Sequence, residues 1–322
     1  MQPLFIFSLP RSGSTLLQRI LASHEDIATV SEPWILLPYV YTLRRQGTYS
    51  EYSHNELVRA IEDFCNELPG GQEDYLAEIR TFTLRLYEKV TTNNAKYFLD
   101  KTPRYHLIIE EIINLFPEGK FIFLWRNPLS IIASIMNTWG DGKWNLFYHK
   151  VDIFDGLINM VAAYDKYQKQ VYTINYEDLL NSPETELQGL FNYLKLPLNS
   201  EILMNFRHIE LKGRYGDPTG VHQYKSISNK SIDKWKQTLT NPVRKAWCKN
   251  YLKWVGQERL TAMSYSLQEL LSELDSVPFS LKHVGSDLLN IGFGATYNML
   301  GLTILKHKIQ TLPDWRKIHF HN

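Results

Sequence analysis

The segment 3–22 constrains the fold of this chain more than any other stretch. An apolar run at 4–7 ends before Pro10, the small-residue loop 11–15 follows, and apolar side chains then recur at helical spacing from Leu16 to Leu21. Such a junction of buried strand, tight turn and helix presents backbone N–H groups and hydroxyl groups at a helix N-terminus, where anions bind. The sequence therefore predicts a site for a phosphate or sulfate group.

Four short apolar runs predict buried strands, at 4–7, 97–99, 121–125 and 171–174. Each is followed by turn residues and then by a helical pattern, which is typical of a parallel sheet covered by helices. We therefore expect an α/β fold of three layers, with a central parallel sheet flanked by helices. The helical patterns lie at 55–68, 73–90, 104–115, 128–138, 152–169 and 183–194, with a further apolar periodicity at 260–274.

The composition changes at about Val277. Residues 277–322 carry four glycines, several aromatic side chains and more basic than acidic side chains. We predict an α/β domain over 1–276 and a C-terminal extension over 277–322 that packs on it. The alternative is that the extension forms a surface for a peripheral membrane contact or a carrier protein.

The overall composition excludes several function classes. The net charge of +1 provides no basic field for nucleic acid, so we expect no nucleic-acid partner. The two cysteines, Cys65 and Cys248, provide no disulfide framework, and the ten histidines are dispersed, so no metal site is predicted. There is no signal-peptide pattern and no apolar run of the ~20 residues that a membrane span needs, so we expect a soluble cytoplasmic protein.

A second anion site is predicted after the run 121–125. Asn127 is suited to cap a helix and Pro128 to begin it, so Arg126 stands at the end of a strand. Arg126 can fork onto a phosphate while Ser134 donates its hydroxyl to the same group, although a structural ion pair and a backbone hydrogen bond are the alternatives. Two such junctions at the carboxyl edge of one sheet predict a ligand with two separated phosphate-type groups.

The first loop departs from the common nucleotide motifs. Gly13 is its only glycine and is followed by Ser14 and Thr15, without the lysine of the pattern G-x-x-x-x-G-K-[ST]. The pattern G-x-G-x-x-G is also absent. An ordinary ATP-dependent kinase and a nicotinamide enzyme are therefore disfavoured. A nucleotide-dependent kinase that lacks the usual lysine, and a non-catalytic nucleotide-binding module, stay as alternatives.

Several motifs together resemble one family. PRSGSTLL at 10–17 and RNPLSIIAS at 126–134 resemble the 5′-phosphosulfate and 3′-phosphate motifs of PAPS-dependent sulfotransferases, usually written PRSGTT or PKSGTT and R-x-P…S. The matching segments span about residues 4–240 and resemble bacterial members related to the tyrosyl-protein sulfotransferases. They include SEPW at 31–34, DKTPRYH at 100–106, NYEDLLNSPETEL at 175–187 and a basic stretch that ends in DKW at 233–235.

The resemblance implies a P-loop-like fold and a sulfuryl transfer from PAPS to a hydroxyl acceptor by in-line displacement, which releases PAP and needs no metal. It also implies a set of donor-binding residues. Thr138 stands where some relatives have a further arginine for the 3′-phosphate. The implied set comprises Arg11, Ser12, Gly13, Ser14 and Thr15 for the 5′-phosphosulfate, Arg126 and Ser134 for the 3′-phosphate, Tyr176 near the nucleotide, and Ser228 and Lys234 in a C-terminal loop.

Three residues join Arg11 as candidates for the chemistry. Glu32 matches the general base of the tyrosyl-protein and related bacterial enzymes, and His106 is the rival base because cytosolic members use a histidine. Lys101 follows the run 97–99, so its cation is expected beside the anion sites, where it can stabilise the leaving oxygen. The alternatives are a surface or capping carboxylate, a helix-face histidine and an ion pair with Asp100 or another neighbour.

The acceptor pocket is expected in the variable segments 34–95 and 139–165. Their aromatic side chains favour a small-molecule acceptor of lipid-like, polyketide-like or phenolic type, although aromatic residues also commonly belong to the core. The aromatic residues concerned are Trp34, Tyr39, Tyr41, Tyr49, Tyr52, Trp139, Trp144, Phe147 and Tyr148.

Overall fold

The computed structural model describes residues 1–91, 94–213 and 227–302, and its centre is a parallel sheet. The five strands are paired in the order β2-β3-β1-β4-β5. The four predicted strands are confirmed, and β2 was missed because it is only three residues long and partly buried. The strands are β1 (Gln2–Phe7), β2 (Ile27–Thr29), β3 (Tyr97–Asp100), β4 (Lys120–Trp125) and β5 (Val171–Asn175).

The apolar strands are buried on both faces of the sheet. In β1, Phe5 and Phe7 pack into one hydrophobic cluster, whereas Leu4 and Ile6 pack into a second cluster on the other face. Alternate side chains of a strand point to opposite faces, so a continuous apolar run fits a strand with helices on both sides. The three-layer α/β fold is therefore confirmed.

Helices cover both faces of the sheet. Short 3₁₀ turns lie at Pro103–Leu107, Leu146–Tyr148, Phe206–His208 and Asn229–Lys234, and a π-helical turn at Val151–Gly156. The described α-helices are α1 (Ser14–Ala22), α2 (Leu36–Tyr41), α3 (His54–Asn66), α4 (Gln72–Val90), α5 (Ile109–Leu115), α6 (Pro128–Trp139), α7 (Leu157–Tyr167), α8 (Tyr176–Asn181), α9 (Pro183–Leu194), α10 (Ser200–Asn205), α11 (Trp235–Thr238), α12 (Pro242–Ala262), α13 (Leu267–Ser276) and α14 (Val284–Met299).

Three predicted helices differ from the observed ones, and one of them, the pattern at 152–169, is the π-helical turn Val151–Gly156 followed by α7. The periodicity at 260–274 belongs to two helices, because α12 ends at Ala262 and the Ser266 hydroxyl caps α13 by accepting a hydrogen bond from the Glu269 N–H. The pattern at 104–115 is a 3₁₀ turn followed by α5. Hydrophobic spacing shows which residues face the core, but it does not show where a helix is interrupted.

The C-terminal helix α14 is attached to α12 by a buried ion pair. The Nε of Arg244 donates to Oδ2 of Asp287 over 2.6 Å, and both side chains are almost completely buried. The predicted boundary at 276/277 coincides with the end of α13, and the division itself stays a prediction. Among the helices within 1–91, 94–213 and 227–302, none is long and apolar enough to cross a bilayer.

Candidate active site

The loop between β1 and α1 forms the first predicted anion site. Gly13 caps α1 in the left-handed conformation, with a φ of 91° and a ψ of 13°, and Arg11 also has a positive φ of 67°. The first N–H groups of α1 have no partner within the helix, and the positive end of the helix dipole lies at this end. The Ser12 hydroxyl is buried and has no hydrogen-bond partner among the described residues. The loop therefore offers several donors to one anionic group.

The junction between β4 and α6 forms the second predicted site. The Asn127 side chain accepts a hydrogen bond from the Leu129 N–H, and Pro128 begins the helix, so the predicted helix start is confirmed. Arg126 is buried, and its guanidinium carbon lies 4.3 Å from the centroid of the Tyr176 ring. The Nε of Arg126 has no hydrogen-bond partner within the described part of the chain. This N–H can therefore serve a ligand.

Arg11 connects the two junctions. Its Nε donates to the Ser134 hydroxyl over 3.1 Å, and its backbone carbonyl accepts a hydrogen bond of 2.6 Å from Nη1 of Arg126. The Arg11 guanidinium also lies over the Trp139 ring, 5.6 Å from its centroid. The Ser134 hydroxyl accepts from Arg11 and keeps its own hydrogen for another acceptor. The two anion sites therefore form one constellation at the carboxyl edge of the sheet.

Tyr176 packs between these elements. A Cβ atom at position 13 would come nearer than 3.0 Å to the Tyr176 ring, so only glycine fits where the ring meets the loop. The Tyr176 hydroxyl lies 3.2 Å from the Ser231 hydroxyl. The ring therefore contacts the first loop, Arg126 and the 3₁₀ turn Asn229–Lys234.

The predicted C-terminal cofactor loop is only partly described. Ser228 is partly buried, and Lys234 is exposed at the end of the 3₁₀ turn. Residues 214–226, which contain most of the basic stretch, lie outside the described residues. The roles of Ser228 and Lys234 therefore stay predictions.

Glu32 and Lys101 form an ion pair. Lys101 directly follows β3, its side chain is 1% exposed, and its Nζ donates to Oε1 of Glu32 over 2.8 Å. The Trp34 indole N–H donates to Oε2 of Glu32 over 3.2 Å. Both carboxylate oxygens of Glu32 are therefore held by donors. The two residues predicted to carry the chemistry lie in direct contact.

Helix α1 anchors the segment that carries Glu32. The amide of Gln18, one turn into α1, donates to the carbonyls of Val30 (2.8 Å) and Ser31 (3.2 Å). Strand β3, which presents Lys101, pairs directly with β1. The Glu32–Lys101 pair therefore lies at the same edge of the sheet as the first anion loop.

Asp100 is a site residue whose role the sequence did not reveal. It is completely buried and accepts hydrogen bonds from the hydroxyls of Tyr87 (2.7 Å), Tyr105 (3.0 Å) and Thr102 (3.2 Å). Burial raises the pKa of this carboxyl from 3.8 to about 6, although the three hydrogen bonds oppose the increase. Thr102 in turn accepts the backbone N–H of Trp34 over 3.2 Å. Asp100 therefore fixes the segment that presents both Lys101 and Trp34.

His106 lies in a separate buried cluster. Its Nε2 is 3.0 Å from Oδ1 of Asp152, which also pairs with Arg104 and His149. Its ring packs against Gly156, where a Cβ would lie 2.9 Å from Nδ1. Burial alone would raise the pKa of Asp152, but the hydrogen bonds from His106 and His149 and the charge of Arg104 hold it below its usual range. The Nδ1 of His106 is buried and has no hydrogen-bond partner among the described residues, and the role of His106 stays a prediction.

The predicted acceptor aromatics fall into two groups. Trp144 is buried, and Tyr39, Tyr41 and Phe147 pack against the core. The Trp139 ring, which the Arg11 guanidinium lies over, also stacks on His149 with the ring centroids 4.7 Å apart. No group of three or more metal-ligating side chains occurs in the described ranges. Among the predicted acceptor aromatics, the exposed ones are Trp34, Tyr49, Tyr52, Trp139 and Tyr148.

Comparison with known proteins identifies the family that this chain resembles. The model of the sulfotransferase family matches residues 3–200. The nodulation protein NoeE of Sinorhizobium fredii is 26% identical over 259 residues, which cover 73% of this chain and 60% of that protein. Protein-tyrosine sulfotransferase A of Caenorhabditis elegans is 23% identical over 299 residues, which cover 88% of this chain and 67% of that protein. The chain thus spans less than two thirds of the length of NoeE.

Among solved structures, the sulfotransferase domain from the curacin biosynthetic pathway superposes with a TM-score of 0.54. The two sequences are 23% identical, and the match covers 87% of this chain and 98% of that domain. This likeness shows that the two proteins share a fold.

Proposed function

The chain belongs to the sulfotransferase family, as its motifs predicted, and we propose that it transfers a sulfuryl group from PAPS to the hydroxyl of an acceptor and releases PAP. The observation that supports this function best is the constellation at the sheet edge. Two anion sites joined by Arg11 suit a donor with two separated phosphate-type groups, and the Glu32–Lys101 pair lies at the same edge. No metal is part of the proposal.

The described residues fit the donor. PAPS supplies an activated sulfuryl group and several anionic oxygens. The N-terminus of α1 and the Ser12 hydroxyl would hold the 5′-phosphosulfate, and the Nε of Arg126 with the Ser134 hydroxyl would hold the 3′-phosphate. Two of the buried donors without described partners, Ser12 Oγ and Arg126 Nε, would each gain an acceptor. The Arg11 guanidinium donates to Ser134, so its positive charge would also stabilise the 3′-phosphate. Thr138, at the position where some relatives have an arginine, supplies no such charge.

Glu32 and Lys101 divide the chemistry between them. As the acceptor oxygen bonds to sulfur and the bond from sulfur to the phosphate oxygen breaks, the acceptor proton moves to the Glu32 carboxylate. Lys101 has three N–H donors, of which Glu32 uses one, so the others can stabilise the charge on the leaving phosphate. Trp34 fixes the second oxygen of Glu32 and acts as a positioning residue.

Glu32 is a better candidate for the base than His106. The Glu32 side chain is 11% exposed and lies beside Lys101, whereas the His106 side chain is completely buried and its Nε2 contacts Asp152. A general base must reach the proton that it removes. His106 would need the cluster around Asp152 to open before it could meet an acceptor.

We expect the acceptor to be a small or lipid-like alcohol with a substantial apolar part. Exposed aromatic side chains lie in both acceptor segments, and Trp139 among them contacts Arg11. The identity of the alcohol and a cytoplasmic location stay predictions.

Transfer from radiolabelled PAPS to a panel of long-chain, polyketide-like and phenolic alcohols tests this function. We expect label on at least one alcohol, and we expect Glu32→Gln to lower turnover by about 10²–10⁴-fold, the usual contribution of a general base, without changing PAP affinity. His106→Asn serves as the matched comparison, because asparagine can still donate to Asp152. It should retain most of the turnover.

Three results would contradict the proposal in different ways. Near-normal turnover in Glu32→Gln, combined with loss of turnover in a folded His106→Asn variant, would transfer the role of base to His106. A wild-type protein that binds ATP with Mg²⁺ and does not bind PAP would instead be a kinase. PAP binding without any turnover would indicate a non-catalytic nucleotide-binding module.

A further inference from the structure

Helix α14 exposes an apolar face to solvent. Five large apolar side chains on this helix and at its end are between 51% and 84% exposed: Leu288, Leu289, Phe293, Met299 and Leu300. A helix on the surface of a globular protein ordinarily turns its apolar residues to the core and its polar residues to water. We call these five residues the C-terminal apolar face, and contiguous exposed faces of this kind mark interaction sites.

The opposite side of α14 is held in place by polar and aromatic contacts. Asp287 is completely buried and accepts hydrogen bonds from Nε (2.6 Å) and Nη2 (3.0 Å) of Arg244 and from the Asn241 amide (2.7 Å). Tyr297 packs on Phe147, with ring centroids 5.6 Å apart. A buried bidentate pair fixes the rotation of the helix, because turning it would leave two charges unpaired. The exposure of the apolar face is therefore part of the fold.

Charge distinguishes between the occupants that could cover this face. Within 284–302 the only acidic or basic residue is Asp287, and Arg244 neutralises it in the interior. The face itself therefore carries no charge. Across 277–322 the sequence has five basic residues and two acidic ones. Lys282 and Asp287 are described, whereas Lys306, Lys308, Asp314, Arg316 and Lys317 lie outside the described residues. An uncharged apolar face flanked by basic sequence is complementary to the acyl chains and anionic headgroups of a bilayer.

We propose that the C-terminal apolar face docks on an anionic lipid bilayer, with α14 lying in the plane of the interface. The helix has 16 residues, which is fewer than the ~20 that a bilayer span requires, so it would lie on the membrane and not cross it. The leucine and phenylalanine side chains insert between the lipids, and the positive charge of Lys282 and of the basic sequence that follows the helix attracts the anionic headgroups.

The face is connected to the anion loop by a series of aromatic contacts. Tyr297 of α14 meets Tyr148, with ring centroids 5.1 Å apart. His149, which follows Tyr148 in sequence, stacks on the Trp139 ring, and the Arg11 guanidinium lies over that ring. If the acceptor is a lipid-like alcohol, docking would bring the bilayer that contains it close to the candidate site. This consequence rests on the proposed function. The lipid binding itself does not depend on that function.

Co-sedimentation of the full chain with vesicles tests the docking. We expect binding to vesicles that contain phosphatidylglycerol, weak binding to phosphatidylcholine alone, and a decrease in binding as salt is added. Leu289→Gln combined with Phe293→Gln should weaken binding at least about tenfold, because two large apolar side chains no longer insert. Phe64→Gln is the matched control, since Phe64 is equally exposed on α3 and should have no effect. Phe293 also contacts the rings of Phe147 and Tyr297, so thermal unfolding checks that the double variant is folded. Leu289→Gln alone, at a side chain that is 76% exposed, should weaken binding without lowering Tm.

Four results would overturn the proposal. The first two are no binding to either kind of vesicle, and binding of the double variant that is as strong as that of the wild type. Equal binding to both lipid compositions would show that docking does not require anionic lipid. A dimer in sedimentation velocity that dissociates in the double variant, without vesicle binding, would show that a second copy of the chain covers the face.

Discussion

Replacing Gly13 by alanine tests whether the packing of Tyr176 against the first loop supports the second anion site. Gly13 has a φ of 91°, and a Cβ there would lie nearer than 3.0 Å to the Tyr176 ring. The same ring lies 4.3 Å from the guanidinium of Arg126. The substitution should therefore displace the ring, and with it the arginine that is proposed to bind the 3′-phosphate.

The expected cost has two parts. A residue with a Cβ in the left-handed region costs about 1–2 kcal/mol, and forcing an extra methyl group against a packed ring costs about 1–3 kcal/mol. The free energy of unfolding should thus fall by about 2–5 kcal/mol, which for a chain of this length lowers Tm by roughly 3–8 °C. PAP affinity should fall at least about tenfold, because the loop N–H groups and Arg126 both shift.

Gly71→Ala provides the matched control. Gly71 also precedes a helix with a positive φ, of 65°, although its ψ of −139° places it in the mirror-β region, and the nearest atom to its added Cβ is 4.0 Å away. This variant should lose stability through backbone strain alone and keep its PAP affinity. Thermal unfolding and calorimetric titration with PAP measure both quantities. Because the two glycines differ in ψ, PAP affinity decides: if Gly13→Ala binds PAP as tightly as Gly71→Ala does, the proposed coupling between Tyr176 and Arg126 is refuted.

Three further substitutions give distinct expectations. Because the folded state raises the pKa of Asp100 from 3.8 to about 6, it favours the protonated form, so the free energy of unfolding should fall by about 3 kcal/mol as the pH rises through this range. Asp100→Asn should abolish that fall in urea unfolding measured from pH 4 to 7. Trp34→Phe removes the donor to Glu32 Oε2 and should lower the rate of transfer about tenfold with little change in the KM for PAPS; an unchanged rate would exclude a positioning role. Asp287→Asn leaves the Arg244 charge uncompensated and should destabilise the fold by about 3–5 kcal/mol, whereas a loss below 1 kcal/mol would show that the pair does not clamp α14.

Much of the fold could be read from the sequence because its strands are apolar on both faces. The runs at 4–7 and 121–125 lie in the middle of the sheet, where helices cover both sides. β2 gave no comparable signal, since its three residues form a short edge strand. The break between α12 and α13 was also missed, because residues on both sides of the turn keep facing the core.

The candidate site was predictable where a local motif sets the conformation. Gly13, Arg126 and Ser134 follow strands, and their positions could be inferred from strand-to-helix junctions. The contact between Glu32 and Lys101 depends on residues 69 positions apart, so spacing could not reveal it. Spacing also gave no sign that His106 would face Asp152 in the interior.

The central claim is that the two anion sites together bind a sulfonucleotide. Calorimetric titration with PAP, with and without Mg²⁺ and beside ATP, measures this most directly. The account predicts micromolar PAP binding that does not require Mg²⁺ and that is lost in Arg126→Ala. ATP binding that requires Mg²⁺, together with no binding of PAP, would contradict it.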